Sequence, residues 1–459
     1  MAGLEGPSAR QIVKIAIVGA GWAGMAAAVT AVQAGHDAIV FEAARAVGGR
    51  ARALLCTLPD GTEATLDNGQ HILIGAYTDT LQLMRTVGLD PERVMLRQAL
   101  SLPFPDGKGL QTPLWAARWP APLDALAAIA TAKGWTWRDK ASLMRHAMAW
   151  QLRGFKCAPL LSVADLCQGM APRVFQELIE PLCVSALNTP AQASSAQVLL
   201  RVLKDAMFGV RGGSNLLLPR VDLGALFPSQ AQQWLAQRAD APGQSSPAGN
   251  AIVRCGHRVT RLEWQAPHWL VDGEAFDRVI WATSASEAAR AQVESAKDAP
   301  ESIAEAMTAW AAVADALHFE AITTVYAMAP GIRLPHAMLA LHNTPESPAQ
   351  FVFDRGQLGG PEGLLAFVVS ASQGTRVSLQ TAVLTQARAQ LGHLIATPLQ
   401  AVQTVIEKRA TFACTPGLFR PAQRIAPNLV AAGDYVEGPY PATLEGAIRS
   451  GVSAVACLD

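Results

Sequence analysis

The sequence lacks an excess of charge of either sign. Its 459 residues include 37 lysines and arginines and 37 aspartates and glutamates, so the formal net charge is zero, and only 16% of the residues are charged. A nucleic-acid-binding surface needs basic residues to neutralise phosphates, so this balance argues against a nucleic-acid partner. Half of the residues are hydrophobic, which allows large buried cores, and the length favours two or three domains.

The seven cysteines are few, scattered and odd in number, and none are spaced as Cys-x-x-Cys. This pattern supports neither a disulfide framework nor a thiolate zinc site, and we expect no metal centre. Reduced, mostly buried thiols in the cytoplasm are the simplest interpretation.

A long uninterrupted apolar run is also lacking. The charge-free stretch between Lys14 and Asp37 imitates a membrane segment or a signal peptide, but glycines interrupt it and its first residues are short and β-branched. A strand, a tight turn and a buried helix explain it better than a spanning helix. We therefore expect a cytoplasmic protein without a transmembrane segment.

A glycine-rich turn stands between the first predicted strand, at 14–18, and a helix predicted over 22–34. Its residues are Gly19-Ala20-Gly21-Trp22-Ala23-Gly24, and a second strand is predicted over 37–42. Gly19 would allow the tight turn, Gly21 would let backbone N–H groups approach a pyrophosphate, and Gly24 would let helix and strand pack closely. Glu42, at the end of the second strand, would accept hydrogen bonds from ribose hydroxyls. This βαβ unit predicts a dinucleotide site.

Two further motifs favour FAD over NAD. Gly48-Gly49-Arg50 follows the second strand, where two glycines would let the chain lie close to a bulky ligand and Arg50 could pair with the pyrophosphate. Near the other end of the chain, Gly433-Asp434 follows a predicted strand, and the aspartate could bond a ribityl chain. A helix that begins near Thr443 and Leu444 could face an electron-rich ring edge. A ligand contacted from both chain ends is long, as FAD is.

The remaining pattern predicts helices over 78–150 and over 163–208, the second broken at Pro172, Pro181 and Pro190. The Pro-, Gly- and Ser-rich segment 239–250 predicts a surface loop. After it we predict strands at 251–253, 259–264, 269–271, 278–282, 351–353, 364–370 and 428–432, with helices at 378–394 and 442–456.

These motifs together resemble the flavin amine oxidase and phytoene desaturase superfamily and, within it, the hydroxysqualene dehydroxylases, also called squalene-associated FAD-dependent desaturases. The residues that carry the resemblance span most of the chain. They read LDNGQHILIG at 66–75, EPLC at 180–183, ALNTP at 186–190, GSNLLLP at 213–219 and PATLEGA at 441–447.

The resemblance implies an α/β fold with a discontinuous Rossmann-like FAD-binding domain and a mixed α+β substrate domain that has a helical part. The FAD-binding domain is expected over 12–95, 246–290 and 425–459, and the substrate domain over 96–245 and 291–424. By position, Val259 would contact the adenine, Leu444 the flavin pyrimidine, and Gly69 and Gln70 the flavin. FAD is expected to be bound non-covalently, since no cysteine lies just before the C-terminal helix.

The substrate implied by the resemblance is a C30 isoprenoid, with hydroxysqualene reduced to squalene and water lost. A carotenoid or phytoene-type desaturase is the nearest alternative, and a non-catalytic isoprenoid-binding flavoprotein is another. Amine oxidation ranks third because Thr443 stands where amine oxidases carry a cage tyrosine. The glycines of 209–213 and 356–363 lack the strand–turn–helix context of a second dinucleotide site, so an external electron donor is expected.

The reaction would need an acid to protonate the departing hydroxyl while the allylic carbon receives a hydride. His71 is the first candidate because its ordinary pKa allows proton donation near neutrality; the alternative is that it only holds its loop. Glu445 and Tyr440 are further candidates, and Asp67 is interpreted as structural. Five tryptophans between 115 and 150 suggest peripheral membrane contact, with packing inside a helical domain as the alternative.

Overall fold

A computed structural model describes residues 12–239 and 249–458. The helices in these ranges are α1 (Trp22–Gln33), α2 (Thr78–Thr86), α3 (Pro91–Val94), α4 (Leu123–Thr131), α5 (Trp137–Leu152), α6 (Val163–Leu166), α7 (Pro172–Val174), α8 (Glu180–Leu187), α9 (Ala196–Phe208), α10 (Leu223–Leu226), α11 (Pro228–Ala239), α12 (Ala285–Ala296), α13 (Glu301–Asp315), α14 (Arg376–Leu391) and α15 (Leu444–Ala456). A π-helical turn (Phe175–Ile179) links α7 to α8, and a 3₁₀ turn occupies Arg355–Leu358.

The strands in the same ranges are β1 (Lys14–Val18), β2 (Asp37–Glu42), β3 (Ala53–Thr57), β4 (Glu63–Asp67), β5 (Leu73–Ile74), β6 (Met95–Gln98), β7 (Ser101–Pro103), β8 (Gly109–Gln111), β9 (Leu216–Pro219), β10 (Ala251–Cys255), β11 (Leu262–Gln265), β12 (His268–Val271), β13 (Glu274–Phe276), β14 (Arg278–Trp281), β15 (Phe319–Met328), β16 (Met338–Ala340), β17 (Phe351–Asp354), β18 (Leu364–Val369), β19 (Gln400–Phe412), β20 (Arg424–Ala426) and β21 (Leu429–Ala431).

A six-stranded sheet in the order β10-β2-β1-β14-β21-β20 forms the first layer. Its strands are parallel except β20, which pairs antiparallel with β21. The sheet takes its strands from the N-terminal part, from the middle and from the C-terminal part of the chain, as a discontinuous Rossmann-like domain requires. The α/β class is thereby confirmed. The five segment boundaries given above stay predictions.

Helix α1 packs on this sheet through a surface made of small side chains. Ten of its twelve residues are buried and five of these are alanines, so the helix lies inside the domain and not on its surface. On its other side it meets α15, where a Cβ added to Gly451 would overlap the carbonyl oxygen of Ala23. Close packing of backbone on backbone therefore fixes where the N-terminal end of α1 points.

A five-stranded antiparallel sheet in the order β16-β17-β18-β15-β19 forms the second main unit. One of its faces, which includes Val325, Val352 and Phe367, packs against α14 in a separate buried cluster. Because side chains alternate along a strand, the other face is free to bound a cavity. Smaller sheets complete the fold: β5-β9-β6, β11-β12-β13, β3-β4 and β7-β8.

The chain departs from the sequence-based prediction in its middle part. The region 78–150 is not wholly helical, since β6, β7 and β8 occupy parts of 95–111. Pro181 does not break a helix, because it lies in the first turn of α8, where a missing N–H is tolerated. Helices α12 and α13 and strands β15 and β19 were not predicted. The expected strand over 259–264 begins only at Leu262, and Val259 precedes it.

The predicted loop over 239–250 falls largely on residues 240–248, which lie outside the described residues, while Ala239 ends α11. Within the part of the chain that the structure describes, no helix has both the length and the apolar character needed to cross a bilayer.

Candidate active site

A cavity of about 860 Å³ lies between the two main sheets. One side is formed by the turns that follow the parallel strands, which is where ligands bind in open α/β sheets. All but one of the cofactor-binding residues predicted from the sequence line it, and so does His71: Gly19, Gly21, Trp22, Ala23, Glu42, Gly48, Gly49, Arg50, Gly69, Gln70, Val259, Gly433, Asp434, Thr443 and Leu444. The exception is Gly24.

The glycine turn explains this exception. Gly19 has φ +111°, a conformation that side chains rarely adopt, and its N–H donates to the carbonyl oxygen of Phe41 at 2.7 Å. A Cβ on Gly24 would overlap the carbonyl oxygen of Gly19, so Gly24 serves close packing behind the turn. A Cβ on Gly21 would meet no atom nearer than 3.8 Å and would point into open space. Gly21 thus keeps a cradle clear at the N-terminus of α1.

Glu42 anchors the same turn. One of its carboxylate oxygens accepts the N–H of Ala20 at 2.7 Å and the other accepts the N–H of Ala44 at 2.8 Å. The carboxylate therefore joins the glycine turn to the segment after β2. Each oxygen has a second lone pair with which it can accept a hydrogen bond from a ribose hydroxyl.

Two loops from opposite ends of the chain meet at Arg50. Gly48 and Gly49 have φ +121° and +63°, and a Cβ on Gly49 would come within 3.1 Å of the Cα of Gly21. Arg50 forms an ion pair with Asp434, whose carboxylate is buried, and donates to the carbonyl oxygen of Ala410 at 2.8 Å. The two residues predicted to contact the pyrophosphate and the ribityl chain thus lie side by side on the cavity wall.

Asn68 was not predicted as a site residue, although it lies in the motif 66–75. Its side chain donates to the carbonyl oxygen of Arg50 at 2.6 Å and accepts the N–H of Arg52 at 3.1 Å. The amide therefore fixes the backbone around Arg50. The signal in the sequence that could have revealed it is an asparagine between Gly48-Gly49 and Gly69. The structure shows that this asparagine is buried.

The N-terminus of α15 faces the cavity, as predicted. Thr443 is the N-cap residue: its hydroxyl accepts the N–H of Gly446 at 2.9 Å, and Leu444 begins the helix. Tyr77, which was not predicted, also lines the cavity, and its hydroxyl interacts with Thr443. Burial is the main reason why the pKa of Tyr77 is raised, so the phenol stays protonated.

Gln70 is held by a buried network. Its amide donates to the hydroxyl of Tyr326 at 2.9 Å and accepts from Arg355 at 3.0 Å. Tyr326 in turn donates to the carbonyl oxygen of Asp67, whose carboxylate accepts the N–H of Leu223 at the start of α10. Burial raises the pKa of Asp67 to about 6, against the opposing effect of that N–H and of Arg355. Asp67 thus holds the start of α10, and its interpretation as a purely structural residue stays a prediction.

His71 lies on the cavity wall, but the reason for choosing it as the acid is wrong. Burial, together with the positive charge of Arg50, lowers its pKa to about 4. The imidazole is therefore neutral near pH 7 and has no ready proton to give. No hydrogen bond of its ring is found among the described residues, so the alternative that it holds the loop by such a bond has no support either.

The two other candidate acids are engaged elsewhere. Glu445 is fully buried and accepts the backbone N–H groups of Asp79 and Thr80, at the start of α2, and the side chain of Arg449. Tyr440 donates to Asp205 at 2.7 Å. Neither residue is among those that line the cavity, so neither is placed to give a proton to a ligand there.

The wall opposite the glycine turns is mostly apolar. It is formed by one face of the five-stranded sheet together with α8 and the loop before β5, and its apolar residues are Ile72, Val184, Ala186, Ile322, Phe351, Phe353 and Val368. Such a surface suits a hydrocarbon chain better than a charged or strongly polar ligand.

The residues present fit FAD. The cradle at Gly21 adjoins a helix N-terminus, Arg50 supplies a cation beside it, and the cavity continues from there to the N-terminus of α15. A cavity that is lined by the N-termini of both α1 and α15, from the two ends of the chain, suits an extended dinucleotide. Of the cysteines, all of which the structure describes, none lies on the cavity wall; non-covalent binding stays a prediction.

Comparison with known proteins agrees with the fit to FAD. The family model of the flavin-containing amine oxidoreductases matches residues 22–459. A hydroxysqualene dehydroxylase of Rhodopseudomonas palustris is 28% identical over 95% of this chain and 96% of its own length. A zeta-carotene desaturase of Synechocystis is 40% identical, but over only 17% of this chain and 15% of its own length.

Among solved structures, an oxidoreductase from Methanosarcina mazei has the same fold. The two structures superpose with a TM-score of 0.68 at 14% identity, over 96% of this chain and 99% of the other.

The two glycines of the turn should respond differently to substitution. We expect Gly21→Ala to retain less FAD after purification, because the new methyl group enters the cradle, and to have the same Tm as wild type when both proteins are free of FAD. Gly24→Ala should lower the free energy of unfolding by about 1–3 kcal/mol, since the methyl overlaps backbone. Absorbance of bound flavin and thermal unfolding measure the two effects. Equal flavin content in Gly21→Ala and wild type would contradict the assigned cradle.

The low pKa of His71 predicts a pH dependence of stability. The folded pKa of about 4 lies below the ordinary 6.5, so the folded state disfavours the protonated ring. The free energy of unfolding of wild type, relative to that of His71→Gln, should fall as the pH falls from about 6.5 to 4. Above pH 6.5 the difference between the two free energies should not depend on pH. Urea unfolding at a series of pH values measures it. A pH-independent difference would show that the ring is not buried as described.

Proposed function

The chain belongs to the flavin-containing amine oxidoreductase family, and on that basis we propose that this FAD-dependent oxidoreductase reduces hydroxysqualene to squalene with loss of water. The observation that carries the proposal is the apolar wall that faces the cofactor motifs across one cavity. The relatives named hydroxysqualene dehydroxylase support it because each match extends over 95% of this chain.

A carotenoid desaturase is the second candidate, since it would use the same two walls to oxidise a polyene. The zeta-carotene desaturase match favours it less, because it covers a short part of both chains. Amine oxidation is disfavoured by Thr443, which gives the N-terminus of α15 a hydroxyl in place of an aromatic ring.

In the proposed reaction, FAD in its reduced form supplies a hydride when bound. The protein contributes the arrangement around it. The turn at Gly21 and the guanidinium of Arg50 would hold the pyrophosphate, Glu42 the ribose, and Val259 the adenine, while the N-terminus of α15 would face the ring. Phe351 and Phe353 would hold the isoprenoid chain and exclude water from the carbon that reacts.

An external electron donor is part of the proposal. The glycines of 209–213 lie between α9 and β9, and those of 356–363 lie between β17 and β18. Neither segment stands between a strand and a following helix, which a second dinucleotide site of the Rossmann type would require. We also propose a cytoplasmic location, supported by free cysteines at all seven positions.

Under anaerobic conditions, the FAD-loaded protein is first reduced with a stoichiometric amount of dithionite, and hydroxysqualene added afterwards should be converted to squalene as the flavin becomes oxidised. Because the imidazole of His71 is neutral, His71→Ala should keep substantial squalene formation, within about tenfold of wild type. Mass-spectrometric product analysis measures both. New double bonds in a C30 or C40 chain, with no squalene, would instead support the desaturase.

We further propose that the helical part contacts membranes from one side. The exposed apolar side chains of the helical part are Leu114, Trp115, Trp119, Leu123, Leu126, Trp137, Met148, Leu152, Leu160, Phe208 and Val210. Together with the exposed Phe419, in the loop after β19, we call this set the basic apolar surface. Residues 114–160 carry seven lysines and arginines against two aspartates, in a chain of zero net charge. Apolar residues among cations suit the headgroup region of an anionic bilayer.

Contacts between segments support a continuous surface. Arg211 donates to the carbonyl oxygen of Arg118, the ring of Phe208 lies 5.5 Å from that of Phe155, and the N–H of Gly417 donates to Pro159. The five tryptophans between 115 and 150 differ in exposure, however. Trp115, Trp119 and Trp137 are exposed, whereas Trp135 and Trp150 are buried in the core, so only part of the stretch from 115 to 150 is available.

The protein should cosediment with vesicles of phosphatidylglycerol and phosphatidylcholine, and binding should weaken as salt rises. The triple variant Trp115→Ser, Trp119→Ser, Trp137→Ser should bind at least about tenfold more weakly, since each ring contributes buried apolar area. Val293→Ser with Val377→Ser, two exposed apolar positions outside this surface, is the matched control. Equal binding by the triple variant and the control would contradict membrane contact through this surface.

A further inference from the structure

The proposed reaction releases a hydroxyl group, which leaves readily only if it is protonated. The carboxylic acids that line the cavity are Glu42, Glu287, Glu407 and Asp434. Three of them are bound to other groups. Glu42 accepts two backbone N–H groups, Glu287 pairs with Arg290 at 2.8 Å, and Asp434 pairs with Arg50.

Glu407 differs from these three because it has no close partner. Its hydrogen bonds are to the side-chain amide of Asn68 at 3.5 Å and to the N–H of Arg409 at 3.4 Å. Both distances exceed the 2.7–3.2 Å of ordinary N–H···O bonds. Its carboxyl group is therefore available to a ligand in the cavity.

The position of Glu407 places it among the apolar residues of the cavity. It lies on β19 directly opposite Ile322 of β15, and opposite residues in an antiparallel pair share a face. The same face carries Phe351 and Val368, which are paired with each other and also line the cavity. Glu407 thus puts a carboxyl group on the wall where an isoprenoid would lie.

Glu407 also lies next to the cofactor motifs. Asn68, its partner at 3.5 Å, holds the carbonyl oxygen of Arg50, and Arg50 donates to Ala410, three residues after Glu407 on the same strand. The carboxyl group is therefore located where the apolar wall meets the Gly-Gly-Arg loop, between the expected positions of hydrocarbon and cofactor.

On this geometry, and resting on the proposed function, we propose that Glu407 is the proton donor to the departing hydroxyl. The carbon–oxygen bond breaks, the oxygen takes the proton of the Glu407 carboxyl group and leaves as water, and the carbon accepts a hydride from reduced FAD. Solvent returns a proton to the carboxylate, and an external two-electron donor restores reduced FAD.

The test compares Glu407→Gln with wild type as FAD-loaded, dithionite-reduced proteins. With hydroxysqualene, the variant should form squalene about 10²–10⁴-fold more slowly, the usual contribution of a general acid. With the acetate ester of hydroxysqualene, whose leaving group needs no proton, the variant should act within about threefold of wild type. Flavin content should be equal, which separates proton donation from cofactor binding.

Lys408→Gln is the matched control, since Lys408 is exposed and successive residues of a strand point to opposite faces. It should match wild type on both substrates. Two results would overturn the role of Glu407 and leave the proposed function standing. One is that Glu407→Gln and wild type react with hydroxysqualene at equal rates, and the other is that the variant loses activity equally on both substrates. If wild type itself forms no squalene, the proposed function falls and the role of Glu407 with it.

Discussion

The ion pair between Arg50 and Asp434 is the interaction on which the cavity depends. Asp434 follows the C-terminal strand β21 and is buried, while Arg50 follows the N-terminal βαβ unit and keeps part of its side chain exposed. A buried carboxylate that loses its partner destabilises a protein by about 3–5 kcal/mol. Arg50 also binds the carbonyl of Ala410 on β19. One guanidinium therefore holds three parts of the chain together: the glycine loop, the C-terminal loop and the substrate-side sheet.

Several other carboxylates in the motifs also join distant segments of the chain. Glu42 accepts the N–H of Ala20 in the turn before α1, Asp67 accepts that of Leu223 at the start of α10, and Glu445 accepts two at the start of α2. The first N–H groups of a helix have no partner within it, so a remote carboxylate can satisfy them. In each case an acid from one segment fixes the start of another. An acidic residue within a motif is thus no sign, by itself, of proton chemistry.

Local physics made the cofactor side predictable from sequence. The positive φ of Gly19, Gly48 and Gly49 is a property of glycine, and the short apolar strands β1 and β2 have the bounds expected from their pattern. The position of Asp434 after a short apolar strand and the start of α15 near Thr443 were likewise predictable from the local sequence pattern. These features are decided within a few residues, so a single sequence contains the information.

The substrate side is decided by distant partners and was largely missed. Strand β19 has an alternation that is only partly apolar, because one of its faces meets α14 and the other meets a cavity. Its pairing with β15 joins residues about eighty positions apart, and only that register puts Glu407 beside Ile322. The burial that lowers the pKa of His71 likewise depends on the packed structure.

The two walls of the cavity therefore differ in kind. On the cofactor side, the charged groups are satisfied by backbone N–H groups or by each other, as Glu42, Arg50 and Asp434 show. Such groups hold a ligand in place but have no proton to spare. On the sheet side, a mostly apolar face carries one loosely bound carboxyl group, that of Glu407. Because substrate shape and proton supply both reside on the sheet, side-chain changes on that face alone could redirect the chemistry while the cofactor stays in place.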